Sequence, residues 1–188
     1  MDMKNIVLII LIGVLFLGCT KRLETNLDPY VTMYQNKKQN ISVNFLGVED
    51  KRDTTIVSTV LDDGVVQEQY GVSNNIKIWY REAFIRELKN IDMYENNMAM
   101  VAILVNIKKI EATYNKDRLD KKNMQAEISL ELVIKKGNKT ITSNISIHQT
   151  AYKLIVSDAS DFANILNETM QDSVSKTVSI LIKKLQNK

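Results

Sequence analysis

The sequence contains few cysteine, histidine, glycine and proline residues, and these shortages exclude several classes of protein. Its single cysteine cannot form an intramolecular disulfide. One histidine and one cysteine cannot supply the ligands of a zinc site. The six glycines are scattered and form no phosphate-binding loop. Asp62-Asp63-Gly64 lacks the spaced oxygen ligands of a calcium loop and is interpreted as a turn.

The chain also has little excess charge. Its formal net charge is +3, with 25 basic and 22 acidic residues, so no nucleic-acid-binding surface is indicated. The 45% hydrophobic and 25% charged residues are ordinary values for a globular domain. Pairs of lysines occur at four separate places and are interpreted as solvated surfaces rather than contacts with anionic head groups. They are Lys108-Lys109, Lys121-Lys122, Lys135-Lys136 and Lys183-Lys184.

The N-terminus is organised as an export signal. Lys4 gives this segment a positively charged N-terminal region, and residues 6–17 form an apolar run interrupted only by Gly13. This run is too short to span a bilayer core of about 30 Å. We therefore predict a signal peptide over residues 1–18, followed by Cys19. The alternative is an uncleaved anchor or a buried free thiol.

The end of this segment, Leu15-Phe16-Leu17-Gly18-Cys19, resembles the lipobox of bacterial lipoproteins. The resemblance implies that Cys19 receives diacylglycerol on its sulfur and, after cleavage, an N-acyl chain on its new amino group. Thr20, in place of an Asp, implies sorting to the outer membrane, with the domain on the periplasmic face. No cofactor other than this covalent lipid is expected.

Composition divides the rest of the chain into a tether and a domain. Residues 19–40 are the predicted lipidated cysteine and tether, because they are polar, contain the sole proline, Pro29, and show no sustained period. Residues 41–188 are predicted to form a single periplasmic α+β domain, and their length suffices for a real core.

The first half of this domain predicts strands followed by a helix. Strands are expected over residues 41–45, 54–61 and 65–70, and the last two form a hairpin whose edge, at Val57, offers unpaired backbone to a partner. Ser73 is the predicted N-cap of a helix that ends near Asn90. Its apolar stripe comprises Ile76, Trp79, Tyr80, Ala83, Phe84 and Leu88.

The second half predicts a three-strand meander. Apolar residues alternate over 101–107 and then shift phase, so we expect a β-bulge at Lys108-Lys109. Strands 124–136 and 139–150 form a hairpin in which Leu130 pairs with Ile145. The opposite face of the hairpin is polar, so helices should cover one face of the sheet only. That polar face contains Gln125, Glu127, Ser129, Glu131, Thr142, Asn144, Ser146 and His148.

A long amphipathic helix closes the chain between about residues 158 and 186, with Asp158 or Ser160 as its cap. The order of the elements predicts an α+β two-layer sandwich. We expect a mostly antiparallel sheet with two helices packed on one face.

The candidate site residues point to binding rather than to catalysis. A Ser-His-Asp or Cys-His arrangement would require His148, which the strand alternation places in solvent, so we predict that the protein is not an enzyme. Asp50 and Arg52 form either a charged recognition corner or a turn braced by an ion pair. The predicted partner-binding residues are Asp50, Arg52, Glu127, Glu131, Asn144 and His148.

Several stretches taken together are similar to the YajG-type bacterial lipoproteins. They are the lipobox cysteine, residues 27–33, Asp50-Lys51-Arg52, Ser73, residues 107–114, Gly137-Asn138-Lys139, and Ile165-Leu166-Asn167-Glu168-Thr169. The resemblance implies an outer-membrane lipoprotein that faces the periplasm. No reaction, cofactor or catalytic residue comes with it.

Two functions are compatible with these observations. A third, an unrecognised hydrolase, would need several titratable side chains that converge in one pocket. The first is a non-enzymatic binding or scaffolding domain, as a subunit of an envelope-spanning transport system or flagellar-motor-associated structure. Its partners are the inner leaflet of the outer membrane, through the lipid, and unidentified periplasmic or envelope proteins, with no nucleic acid and no metal. The alternative is a carrier of a lipid or small apolar ligand, which predicts a cavity lined by Trp79, Phe84, Ile103 and Met170, residues that could equally form plain core.

Overall fold

The structure is a computed structural model that describes residues 24–32, 39, 41–95, 99–118 and 122–186. The predicted signal peptide, Cys19 and part of the predicted tether lie outside these residues. The strands are β1 (Glu24–Thr25), β2 (Val43–Asp50), β3 (Ser58–Asp62), β4 (Val65–Val72), β5 (Tyr94–Glu95), β6 (Val101–Asn115), β7 (Met124–Lys136) and β8 (Lys139–Ala151). The helices are α1 (Ile76–Asn90) and α2 (Ala163–Gln186), the latter preceded by a 3-10 helix, Ala159–Phe162.

Strand β6 organises the sheet. One of its edges pairs with antiparallel β7 along nearly its whole length, and β7 in turn pairs with β8. Its other edge is divided between two parallel neighbours, β2 over the first half and β3 over the second. Strand β4 is antiparallel to β3, while the two-residue strands β1 and β5 lie parallel to β4 and β2. The sheet is mixed, with long antiparallel and short parallel pairings.

The predicted bulge in β6 is confirmed. The register passes from Ile107 opposite Leu130 to Lys109 opposite Ser129, which leaves Lys108 as the extra residue. Ile107 and Ile110 are both buried as a result. The bulge lies where β2 ends and β3 has not yet begun, between the bonds from Lys51 N–H to the Ile107 carbonyl and from Ala112 N–H to the Val57 carbonyl.

The hairpin of β7 and β8 also has the predicted register. Ile134 lies opposite Ile141, Leu130 opposite Ile145 and Ile128 opposite Ile147. Gly137 supplies the positive φ of 55° in the connecting turn.

The hairpin of β3 and β4 forms as predicted, but the expectation of a free edge at Val57 is wrong. Val57 is buried, its N–H donates to the Tyr70 carbonyl, and its own carbonyl accepts from Ala112. Strand β3 therefore lies inside the sheet, because its non-local pairing with β6 uses the edge that the hairpin alone would leave open.

Both helices pack on one face of the sheet, α1 against β2 and α2 against β7 and β8. The predicted stripe of α1 is buried. Its N-cap is Asn75, not Ser73, because the Asn75 side chain accepts from Ile78 N–H while the Ser73 hydroxyl donates to the Thr25 carbonyl. The Tyr80 hydroxyl lies 2.9 Å from Ser173 Oγ and links the helices, and burial raises its pKa.

A capping box starts the segment that leads into α2. Asp158 is the N-cap of the 3-10 helix, and Asp161 closes the box from the other side. Lys153 Nζ lies 2.5 Å from Asp161 Oδ1, and this hydrogen bond, opposed by burial, lowers the pKa of Asp161 to about 2. The predicted cap at Asp158 is confirmed.

Residues 24–32 differ from the tether expected over residues 19–40. Leu27 and Tyr30 are members of the hydrophobic core. Trp79 Nε1 donates to the Asp28 carbonyl over 2.7 Å, and Thr25 Oγ1 donates to the Ala159 carbonyl over 2.8 Å. The folded unit therefore includes residues 24–32, because this polar segment has apolar residues at the positions that face the core.

The α+β two-layer fold predicted from the sequence is confirmed: one sheet, with both helices on one face. In the described part of the chain, no helix is both long enough and apolar enough to cross a membrane.

Candidate functional site

The sheet face opposite the helices is the candidate site, and strand register brings the predicted residues together there in two rows. In one row, Glu111 of β6, Glu127 of β7 and His148 of β8 lie side by side. In the other, Asn106, Glu131 and Asn144 occupy the same three strands, next to Glu49 of β2. Three consecutive pairings therefore create a surface from residues distant in sequence.

Lys109, next to the bulge, offsets part of the negative charge of the first row. Its Nζ lies 2.6 Å from a carboxylate oxygen of both Glu111 and Glu127. Directly opposed carboxylates repel each other across strands, so a bridging ammonium group stabilises this arrangement. The two hydrogen bonds raise the pKa of Lys109. The bulge thus places a cation between two acids.

Asn106 orders the second row. Its side chain is on the outer face but buried, and its Nδ2 donates to Glu131 Oε2. This hydrogen bond lowers the pKa of Glu131, and Lys108, 3.5 Å away, adds to the effect. Asn106 Oδ1 is buried and has no hydrogen-bond partner within the described residues. Asn144 is exposed beside this row.

His148 is the outermost member of the first row. Its side chain is 64% exposed, with Nε2 3.8 Å from Glu127 Oε1 and 3.1 Å from Ser146 Oγ. This exposure matches the strand alternation. An exposed imidazole beside a half-exposed carboxylate is suited to a polar contact with a partner.

Asp50 and Arg52 form a braced corner at the end of β2. Arg52 Nε and Nη2 donate to the two carboxylate oxygens of Asp50 over 2.8 and 2.7 Å, which lowers the pKa of Asp50. The Arg52 side chain is only 8% exposed, and its Nη1 is buried with no hydrogen-bond partner in the described part of the chain. The ion pair therefore has a structural role in the turn.

A groove of about 390 Å³ connects this corner with the polar face. It occupies the gap between β2 and β3 beside the bulge. Glu111 also lines a smaller groove of about 110 Å³ that includes Glu127 and His148. The larger groove is lined by Arg52, Asp53, Thr54, Ile56, Val57, Thr59, Gln69, Lys108, Lys109, Ile110 and Glu111. Its charged and hydroxyl groups can accept polar side chains of a partner.

The residues predicted to line a cavity for an apolar ligand lie in the interior of the described part of the chain. Trp79, Phe84, Ile103 and Met170 are 7, 1, 2 and 0% exposed and belong to the packed core. The grooves on the polar face are lined by other residues. Among the described residues, no group of three or more His, Cys, Asp or Glu is placed to hold a metal ion.

Sequence reasoning missed Asn106, Lys109 and Glu111 as members of the site. Asn106 interrupts the apolar run of β6, and this was the available signal for a buried polar contact. Lys109 was predicted only to face water, and no prediction was made for Glu111. Their convergence on Glu127 depends on the pairing of β6 with β7, which the residue pattern of one strand does not contain.

No family model and no curated protein matches this chain. Its fold is similar to that of several solved structures. Protein XCC0632 from Xanthomonas campestris, described as family DUF330, has a TM-score of 0.60 at 11% identity, covering 81% of this chain and 91% of that one. An uncharacterised protein has a TM-score of 0.53 at 10% identity, covering 85% and 98%. Hypothetical protein CT253 from Chlamydia trachomatis has a TM-score of 0.50 at 11% identity, covering 76% and 96%. These similarities show a shared fold.

Proposed function

We propose that this chain is a lipoprotein of the bacterial outer membrane, anchored through lipid on Cys19, whose periplasmic domain binds proteins and has no enzymatic activity. It acts as a scaffolding subunit of an envelope assembly such as a transport system or a flagellar-motor-associated structure. The resemblance to YajG-type lipoproteins and the signal sequence support the anchor.

The observation that carries the binding role is the ordered polar face. Lys109 holds Glu111 and Glu127 together, and Asn106 holds Glu131, so these side chains are fixed before any partner arrives. Preorganised side chains lose less conformational entropy on binding. The helices cover the opposite face, so no helix of the described residues covers this surface.

Charge reversal on this face tests the proposal. Glu127→Lys replaces an acceptor of Lys109 with a second amine beside it, so we expect envelope partners to be lost from pull-downs of the tagged full chain after crosslinking in intact cells. Glu82→Lys, at an exposed position of α1, is the matched control and should retain them. Equal recovery by both variants, with folding verified by circular dichroism, would contradict the proposal, as would turnover of a substrate by the purified protein.

The anchor has a separate test. Cys19→Ala should leave the domain folded, because the described core contacts begin only at Thr25, but should release the protein from the membrane fraction. Sedimentation of this variant with outer membranes in high salt would show that another feature anchors the chain.

A further inference from the structure

Strand β8 is a long edge strand that, among the described residues, has no bulge and no second strand beside it. It pairs with β7 from residue 139 to residue 151 without a register shift, and its other side pairs with no strand in the described part of the chain. No Asp, Glu, Lys, Arg or Pro occurs between Lys139 and Ala151. Edge strands are usually short, bulged, charged or covered, because a bare edge recruits another strand.

The chain that follows β8 turns away from this edge. Asn123 Nδ2 donates to the Lys153 carbonyl over 2.6 Å, and Lys153 N–H donates to Asn123 Oδ1 over 3.0 Å. Tyr114 of β6 then donates to the Leu154 carbonyl over 3.0 Å. These contacts direct residues 153 and 154 toward β7 and β6, so they leave the outer side of β8 open.

Two grooves lie along the helix side of β8. One, of about 590 Å³, is lined by Ile134, Ile141, Leu185 and several lysines and polar residues near the hairpin turn. The other, of about 300 Å³, is formed by Ile147 and polar residues of α2. Ile141 is 38% exposed beside the first groove. A ninth strand would place alternate side chains over these two grooves.

We propose that a second copy of this chain occupies this edge, antiparallel to β8, with Asn144 opposite Asn144 of the second copy. The two-fold symmetry makes the contact self-complementary. Because β8 has no formal charge between Lys139 and Ala151, the two strands approach without ionic repulsion, whereas a charged edge would disfavour self-pairing.

Groove filling selects this register. Around Asn144, Ile141 faces Ile147 of the second copy, so an isoleucine side chain lies over each groove. Pairing around Ser146 also matches apolar residues, but it puts only Ala151 of the second copy over the larger groove. A register shifted by one residue places the isoleucines of one copy on the face opposite the helices, away from the grooves.

Cysteine crosslinking in the native membrane tests the contact directly. Residues opposite each other in an antiparallel pair have Cβ atoms about 4.5–5.5 Å apart, close to disulfide distance. Full-length Asn144→Cys should therefore form a disulfide-linked homodimer on mild oxidation. The unchanged chain controls for Cys19, and Ser129→Cys, in the interior of the sheet on β7, controls for random collision.

A second variant tests the same contact without a covalent crosslink. Asn144→Lys places two ammonium groups opposite each other, so the dissociation constant of the detergent-solubilised full chain should rise by about fivefold in analytical ultracentrifugation. Glu82→Lys should leave it unchanged. The proposal is overturned if Asn144→Cys stays monomeric, links to a different protein, or links no more than Ser129→Cys. It is also overturned if the unchanged full chain sediments as a monomer, and linkage at Ser146→Cys instead would overturn the register.

Discussion

Alternate residues of β7 face two different environments, although they share one backbone and one hydrogen-bond ladder. Ile128, Leu130, Leu132 and Ile134 point toward the helices and are fully buried. Glu127, Ser129 and Glu131 point the other way and remain partly exposed. Because the backbone is common to both sets, the two faces differ only in what their side chains contact. The inner face stabilises the fold, while the outer face arranges charges.

The outer face contributes less free energy than its many contacts suggest. Exposed ion pairs contribute about 0–1 kcal/mol each, because solvent screens them and long side chains lose entropy. Burial of one large aliphatic side chain contributes about 1.5–3 kcal/mol. The carboxylates of β7 can therefore be changed to test binding without unfolding the domain.

The largest expected effect is on the inner face. Leu130→Ala should lower the free energy of unfolding by about 2–5 kcal/mol, since it removes buried methyl groups and leaves a cavity between sheet and helices. Urea unfolding monitored by circular dichroism measures this change. Its neighbour supplies the control: Ser129→Ala should change stability by less than about 0.5 kcal/mol. Similar losses for both variants would mean that the two faces do not differ as described.

An intermediate effect is expected at Asn106, a buried residue on the outer face. Asn106→Ala should cost about 1–3 kcal/mol, because Glu131 loses its main hydrogen-bond donor in a partly desolvated position. Thr113→Ala, at a half-exposed outward position of the same strand, is the control for changing β6 itself. If the two substitutions have the same small effect in urea unfolding, the outer face has no structural polar contact.

The smallest effect is a pH-dependent one at Glu131. The pKa of this carboxyl group is lowered from 4.5 in the folded protein, so its stabilising contribution is present above pH 4.5 and is lost as the pH falls through the folded-state pKa. Glu131→Gln should therefore be less stable than the unchanged protein by up to about 1 kcal/mol near pH 7. The difference should disappear as the pH falls through the lowered pKa of Glu131.

Urea unfolding at several pH values tests this sign. A difference that grows as the pH falls would show that Asn106 and Lys108 do not stabilise the charged form of Glu131.

The sequence predicted those parts of the fold that depend on local periodicity. Alternation gave the register of β7 with β8, and a single change of phase located the bulge at Lys108-Lys109. Helical spacing gave the buried stripe of α1. Its cap was misplaced because Ser73, Asn74 and Asn75 are all competent caps. The contacts of Ser73 with Thr25 and of Asn74 with Leu27 leave Asn75 as the cap.

The divided edge of β6 could not be predicted in the same way. Parallel pairing of β6 with β2 and then with β3 joins segments separated by long connections. Such a pairing has no connecting turn whose residues would indicate it in the sequence. The same pairing buries Val57 and creates the groove beside Arg52. The polar character of the site was therefore predictable from alternation, whereas the convergence of Lys109 on two glutamates was not.

The two-residue strand β1 bears on the proposed lipid anchor, because it lies close to Cys19 in the sequence. It fixes Glu24 and Thr25 beside Gly71 and Val72 at the margin of the sheet. With the proposed anchor at Cys19, five residue steps separate the lipid from this fixed point, a reach of at most about 18 Å. A domain anchored in this way would stay close to the membrane. Its partners would then have to come to the membrane surface, where confinement to two dimensions would raise the encounter rate between anchored copies.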